Sequence, residues 1–378
     1  MTVYFDNAAT TQVCPQAVEA MVKVMRGNYG NPSSTHTMGR NAKKVLDGAR
    51  QNVAKAMGCS AEEVFFTSGG TESDNWAIRS GAKLGRRTGR HIICSATEHD
   101  AVLSSAKELE GQGYEVTFLK PDSNGRITAE SVNATLREDT CLVSIMLVNN
   151  ETGAMNPISD ISGLLRKKGS SAIFHCDAVQ AFCKVPFSPK KLGVDLLTVS
   201  SHKIHGPKGS GALYIRRGLR LPPFITGGGQ ESLKRGGTEA LPAIAGFGEA
   251  AKIASGSIDS SEKLVSSLRM AAVETIKSEI PDAIFIGEGD CPYILNLSLP
   301  GYRSEVLMNF LEAKDIYVSR SSACKKGARS HVLEAMGLPS RVIDGAIRVS
   351  FSSDSTMEQI KYFCRCLKEA KDSLFPAL

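Results

Sequence analysis

A lysine set among hydroxyls, imidazoles and glycines is the first group in this chain able to do chemistry: Ser200-Ser201-His202-Lys203-Ile204-His205-Gly206-Pro207-Lys208-Gly209. An apolar run, Val194 to Val199, precedes it and reads as a buried strand. An amine attacks carbonyls when its surroundings deliver it unprotonated, so Lys203 at a strand end is a candidate Schiff-base former. A solvated surface loop would carry the same residues. Asp177, in His175-Cys176-Asp177-Ala178-Val179-Gln180, follows a second strand-like run, Ala172–Cys176. A carboxylate at the end of a buried strand needs a cation or hydrogen bonds. A protonated ring nitrogen of a bound cofactor is one such cation; capping the following helix is the competing role. Placed on successive strands in one crevice, Asp177 and Lys203 form a pair more specific than either alone.

Other polar positions fall at matching places. Ser68-Gly69-Gly70-Thr71-Glu72-Ser73 joins a strand to a helix start, where glycines admit a ligand and free N–H groups favour a phosphate. It is neither a Walker A loop nor a GxGxxG fingerprint, and Thr71 as a plain helix cap is the alternative. His99, in Thr97-Glu98-His99-Asp100, sits past a strand where an imidazole could stack on a flat ring and exchange protons. Asn150, in Val148-Asn149-Asn150-Glu151-Thr152-Gly153, occupies the same rim. Cys324 lies in a small, basic stretch, Ser321-Ser322-Ala323-Cys324-Lys325-Lys326-Gly327-Ala328-Arg329, whose cations favour the nucleophilic thiolate. Arg348, inside the apolar run Ala346–Phe351, needs a carboxylate, either a protein acid or a substrate.

The elements that must position these groups alternate from about residue 60. Strands are expected at Val64–Thr67, His91–Ser95, Glu115–Lys120, Cys141–Val148, Ala172–Cys176, Leu196–Ser200 and Ala212–Ile215. Helices are expected at Thr71–Gly85, His99–Glu110, Ala129–Leu136 and Ile158–Lys167. Continuous apolar strands between helices predict a mostly parallel sheet covered on both faces, with ligands beyond the carboxyl ends of the strands. After the glycines at 227–229 and 236–237, one long helical pattern runs from Leu241 towards Ser278. Strand-like Tyr293–Ser298, Ile316–Ser319 and Ala346–Ser350, with helices at Ser304–Ala313 and Met357–Ser373, predict a smaller α+β domain.

Composition is that of an ordinary globular chain: 378 residues, 42% hydrophobic, 22% charged and a formal charge of +6. The basic cluster Arg86, Arg87 and Arg90 is too short to imply nucleic acid, and no apolar run reaches the length of a membrane span. The N-terminus lacks a signal-peptide pattern, and ten scattered cysteines without paired spacing argue against both zinc and a disulfide framework. A reducing cytoplasm is the expected compartment.

Assembled, these motifs resemble the NifS/IscS-type cysteine desulfurases of the class V aminotransferase family, which have the type I fold of pyridoxal 5'-phosphate (PLP) enzymes. The resemblance begins with Tyr4-Phe5-Asp6-Asn7-Ala8-Ala9-Thr10-Thr11 and Gly30–His36. It passes through Ser68–Asn75, Thr97–His99, Val148–Gly153, Asp177–Gln180, Ser200–Gly209 and Arg235–Thr238, and ends with Ser322–Cys324 and Ala346–Arg348. It implies an α/β fold with a large PLP domain (residues 15–250) around a mostly parallel seven-stranded sheet. A smaller α+β domain (251–378) would carry the cysteine loop, with residues 1–14 packing against it. By resemblance, Lys203 would carry the cofactor, Asp177 would bind its ring nitrogen, Gln180 its phenolic oxygen, and His99 would stack on the ring and shuttle protons. Gly70, Thr71, Ser200 and His202 would hold the phosphate, joined by Thr238 of a second subunit in a homodimer. Asn150 and Arg348 would fix the carboxylate of L-cysteine, and Cys324 would accept its sulfur as a persulfide for an Fe–S scaffold or a tRNA-thiolation protein.

The cysteine stretch departs from the family pattern. Cys324 reaches Ser330-His331-Val332-Leu333 through a shorter segment lacking the usual Glu-Pro, and Arg320 stands where glycine is common. A restricted reach or an altered acceptor follows. Selenocysteine lyase, cysteine-conjugate lyase, aminotransferase and a catalytically silent assembly protein remain the alternatives on the same fold.

Overall fold

The computed structural model describes residues 1–320 and 329–376. A short strand β1 (Val3–Tyr4) precedes helices α1 (Pro15–Gly27) and α2 (Thr37–Met57). The alternating region follows as β2 (Val64–Thr67), α3 (Gly70–Gly85), β3 (His91–Ser95), α4 (Asp100–Glu110), β4 (Glu115–Leu119), α5 (Ala129–Thr135) and β5 (Thr140–Ser144). It continues with α6 (Ile158–Lys167), β6 (Ile173–Asp177), α7 (Pro189–Leu192), β7 (Leu196–Ser200) and β8 (Gly211–Ile215). The rest comprises α8 (Gln230–Leu233), α9 (Leu241–Ser255), α10 (Ile258–Glu279), β9 (Ile284–Ile286), β10 (Ile294–Ser298), α11 (Ser304–Glu312), β11 (Ile316–Tyr317), β12 (Ser319–Arg320), α12 (His331–Ala335), α13 (Ser340–Asp344), β13 (Ala346–Ser350) and α14 (Met357–Ser373).

Seven strands form one sheet in the order β2-β8-β7-β6-β5-β3-β4. All its pairings are parallel except those of β8, which runs antiparallel to both β7 and β2. Every residue of β3, β5, β7 and β8 is buried, as a sheet covered on both faces requires. Trp76 of α3 packs with Leu196 and Leu213 on one face, while Phe66, Phe182 and Phe247 pack edge-on to one another on the other. A second, antiparallel sheet has the order β12-β13-β10-β9.

Three expectations need correction. The helical pattern from Leu241 towards Ser278 is two helices, because Ser257 Oγ donates back to the Ile253 and Ala254 carbonyls and the backbone turns there. The apolar run Cys141–Val148 leaves the sheet after Ser144: Leu147 N–H donates to the Asp177 carbonyl and Val148 bridges to Met155. The run Ile316–Ser319 divides between two sheets, with β11 beside β1 and β12 beside β13.

The N-terminal strap joins the two sheets. Phe5 is fully buried and packs edge-on against Phe351 and Phe363, with ring centroids 5.3 and 5.8 Å away. Asn7 Nδ2 donates to the Ser350 carbonyl (2.9 Å) and the Tyr4 carbonyl (3.1 Å), while Ser350 Oγ accepts from Ala8 N–H (2.8 Å). Farther along, Thr11 N–H and Oγ1 both donate to the His202 carbonyl, Thr11 Oγ1 accepts from His205 N–H, and Cys14 N–H donates to the His205 carbonyl. The strap thus runs from β13 to the turn that carries Lys203. Asn7→Ala removes two bonds at a buried junction and is expected to lower stability by about 1–3 kcal/mol, measured as a lower urea midpoint at unchanged slope.

Candidate active site

The carboxyl ends of β3, β5, β6 and β7 open into a cleft of about 580 Å³. Lys203 enters it from a single 3₁₀ turn, Ser201–Lys203, directly after β7. That turn is tight: a Cβ at Gly206 would overlap Ser201 Oγ, so a larger residue there would displace the Ser201 hydroxyl. The Lys203 Nζ donates to the carbonyls of Ala8 (2.6 Å) and Ala9 (2.7 Å). Burial, and then the neighbouring Lys184 and Arg348 cations, push its pKa down to about 7. A neutral amine has two N–H groups and a lone pair. Two carbonyl acceptors use the hydrogens and leave the lone pair as nucleophile.

Asp177 ends β6, the strand beside β7, and is 4% exposed. Its Oδ1 accepts from Val179 N–H (2.8 Å), so the capping role holds together with the cleft-facing one. Burial raises its pKa, against which that hydrogen bond and the charges of His99 and Lys203 act. Two further buried acids that the sequence reasoning missed stand close by. Asp74 of α3 and Glu98 are each pushed well above the ordinary carboxylate range, by burial first and then by the Asp177 charge. His175, hydrogen-bonded to Ser144 and Thr198, is driven down to about 3 by burial and so supplies no positive charge. An ionised Asp177 in this layer calls for a cation in the cleft.

The remaining expected residues fall as follows. His99 caps α4, its Nδ1 accepting from Ala101 N–H (3.1 Å), which leaves the proton of the neutral ring on Nε2. Gly70 and Thr71 open the 16-residue helix α3, and a Cβ at Gly70 would come within 3.1 Å of Val179 Cγ2. Ser200 Oγ is buried with no hydrogen-bond partner among the described residues. His202 contacts Thr10 Oγ1 (3.2 Å), and burial, with the Lys203 charge next, lowers its pKa to about 4. The helix start, the unpartnered hydroxyl and His202 line one wall of the cleft, an arrangement that suits an anion. Gln180, 4% exposed, donates from Nε2 to the Ala8 carbonyl (2.9 Å).

Asn150 and Arg348 line the opposite side. Arg348 has a protein acid as partner, Asp6 (2.8 Å), and also donates to the Asn150 carbonyl (2.9 Å). Its Nε is buried and unpartnered among the described residues. Thr238 is exposed, follows Gly237 and does not line this cleft. Cys324 lies outside the described residues. Its flanks are held by ion pairs, Arg320 with Glu305 (2.6 Å) and Arg329 with Asp344 (2.7 Å), which take up two of the basic charges around it. Ser330 Oγ donates to Glu151, whose pKa burial raises to about 7. Arg329 and His331, after the undescribed residues, line the cleft.

A half-buried lysine amine and a buried carboxylate at neighbouring strand ends of a parallel sheet, with a helix start that favours an anion, define an α/β enzyme suited to carbonyl–amine chemistry. The chain belongs to the class-V aminotransferase family, whose model matches residues 3–363. It is 42% identical over 362 residues to the cysteine desulfurase IscS of Methanosarcina thermophila, covering 95% of this chain and 89% of that protein. It is also 42% identical to the cysteine desulfurase of Nostoc sp., over 98% of this chain and 93% of the relative. Among solved structures, a NifS-like protein matches with a TM-score of 0.93 at 40% identity, over 99% of this chain and 100% of that one. SspA, solved in complex with cysteine, matches with a TM-score of 0.80 at 34% identity, over 94% of this chain and 100% of that one.

In the protein free of small molecules, Lys203 is expected to react half-maximally with acetic anhydride near pH 7. Exposed lysines label only at far higher pH. Peptide mass spectrometry over a pH series measures the midpoint.

Proposed function

We propose that this chain is a PLP-dependent cysteine desulfurase that converts L-cysteine to L-alanine and passes the sulfur to Cys324. The supporting observation is the pairing of a half-buried, readily neutral Lys203 with the buried carboxylate of Asp177 in one cleft that Arg329 and His331 also line. The site suits PLP on three counts. Asp177 makes no ion pair among the described residues and a pyridinium nitrogen would supply one, the unpartnered Ser200 hydroxyl stands near an anion-favouring helix start, and Lys203 has the free lone pair an aldehyde requires. When bound, PLP supplies an electron sink for negative charge at the substrate Cα.

The chain's own residues then divide the work. Arg348, through its free Nε, and Asn150 bind the carboxylate of L-cysteine and orient the substrate. Lys203, as a neutral amine, takes the Cα proton, and the Nε2 proton of His99 is available for transfer on the same side. Gly70, Thr71, Ser200 and His202 hold the phosphate, with Thr238 of a second copy completing it in a homodimer. The thiolate of Cys324 attacks the substrate sulfur: an S–S bond forms, the C–S bond breaks, and its electron pair takes a proton on carbon. The products are L-alanine and a Cys324 persulfide, and the sulfur moves on to a thiol-bearing acceptor, an Fe–S scaffold or a tRNA-thiolation protein. In this reading residues 15–250 form the cofactor domain and 251–378 a smaller domain that presents the cysteine, with 1–14 tying them together.

Incubation of the purified protein with L-cysteine, following alanine, sulfide and the visible spectrum together, tests the reading. Cys324→Ser is expected to abolish alanine formation while keeping the yellow cofactor, and undiminished alanine would sink the role of Cys324. Lys203→Ala is expected to lose the bound-cofactor absorbance. Arg348→Gln should raise the KM for L-cysteine by roughly 10- to 100-fold, the loss of charge-assisted hydrogen bonds; an unchanged KM would remove Arg348 from substrate binding.

A further inference from the structure

Lys184 is a buried lysine, 7% exposed, and the steps above do not use it. The groups that bear on its charge are Cys291, Arg348 and Cys183, and none of them is a carboxylate. Its Nζ donates to Gln180 Oε1 (3.2 Å) and stands 5.8 Å from the centroid of the Tyr293 ring. A cation held in the core by one neutral acceptor and one ring face is costly and calls for an explanation. The backbone also bends to place it: Cys183, immediately before, has φ 56, in the left-handed region that non-glycine residues avoid.

The chemistry of the amide supplies the explanation. An ammonium only donates, so the group facing Lys184 must be the amide oxygen of Gln180. The amide nitrogen is thereby turned the other way, where Nε2 donates to the Ala8 carbonyl, the same oxygen that accepts from Lys203 Nζ. An amide nitrogen has two hydrogens, so one remains for an acceptor in the cleft that Gln180 lines. We propose that Lys184 is a positioning residue that turns the Gln180 amide nitrogen toward Lys203 and sets a second cation in the same desolvated core.

This rests on the reading of the cleft as a PLP site, where the Gln180 donor would meet the ring's phenolic oxygen and favour its ionised form. The charge acts on Lys203 as well. The charged groups facing that amine are Lys184 and Arg348, which oppose its protonation, and Asp6 and Asp177, which favour it. Neutral His202 stands beside them. Both lysines also line a cavity of about 460 Å³ with Cys183 and Tyr293 in its wall.

Lys184→Met and Lys184→Gln, made in the full chain, separate the two effects: both remove the charge, and only Gln keeps a donor for Gln180 Oε1. In the apoprotein, the midpoint of Lys203 acetylation is expected to rise by about one pH unit in both variants. In the PLP-loaded protein, the midpoint of the visible pH titration is expected to move further from wild type in Met than in Gln. Titrations that coincide in the two variants, or a Lys203 midpoint that stays at the wild-type value, overturn the proposal. If Lys184→Met does not fold, Lys184→Gln decides by its Lys203 midpoint. A wild-type protein that takes up no PLP defeats the functional reading, while the apoprotein midpoints still decide the influence of Lys184.

Discussion

The reactive nitrogen of Lys203 is bonded to two backbone carbonyls that belong to neither sheet, and the rest of the structure is arranged around that contact. Ala8 and Ala9 lie on the N-terminal strap, and their carbonyls stand where they do because Asn7 and Ser350 hold the strap to β13. At its other end the strap is tied to the lysine turn by Thr11 and Cys14. The geometry of one amine therefore depends on contacts between residues more than 340 positions apart in the chain. The same strap supplies Asp6, the partner of Arg348, so the group that orients the amine also sets the state of the arginine facing it. The Arg348 guanidinium is therefore held in place by Asp6 and the Asn150 carbonyl, with its Nε unpartnered among the described residues.

Electrostatically the cleft brings acids and cations together. Burial raises the proton affinity of Asp74, Glu98 and Asp177, and the Asp177 charge adds to it for the first two. Burial and neighbouring cations act in the opposite sense on Lys184 and Lys203. Acids whose proton affinity is raised and lysines whose proton affinity is lowered thus lie around one site. A ligand that brings a ring cation to Asp177 and an anion to the start of α3 restores the missing counter-charges at both ends. That complementarity is a property of the protein's side chains alone.

Much of this was legible in the sequence, and the gaps have physical causes. The strands Val64–Thr67, His91–Ser95, Leu196–Ser200 and Ala346–Ser350 stand where apolar runs ended by polar residues placed them, because strands buried on both faces leave an unambiguous signature. Residues 241–278 misled because apolar periodicity continues across Gly256-Ser257, whereas the hydrogen-bond ladder does not. In the cleft, Lys203 and Asp177 announce themselves by chemistry that needs a special setting. Asp74 and Glu98 sit in helical and loop patterns that give no sign of burial. Lys184 did leave a signal, a lone charge inside the apolar run Ala181–Val185, but its partner Gln180 shows only in three dimensions. The role of the Ala8 and Ala9 carbonyls could not be read from side-chain types at all.

The described flanks of the segment that holds Cys324 are both anchored by ion pairs. Arg320 and Arg329 are tethered to Glu305 and Asp344, and Cys324 is four residues from the first and five from the second. Both arginines are thereby paired with acids, so the positive charge that the sequence places at the two ends of this segment is largely offset in the fold.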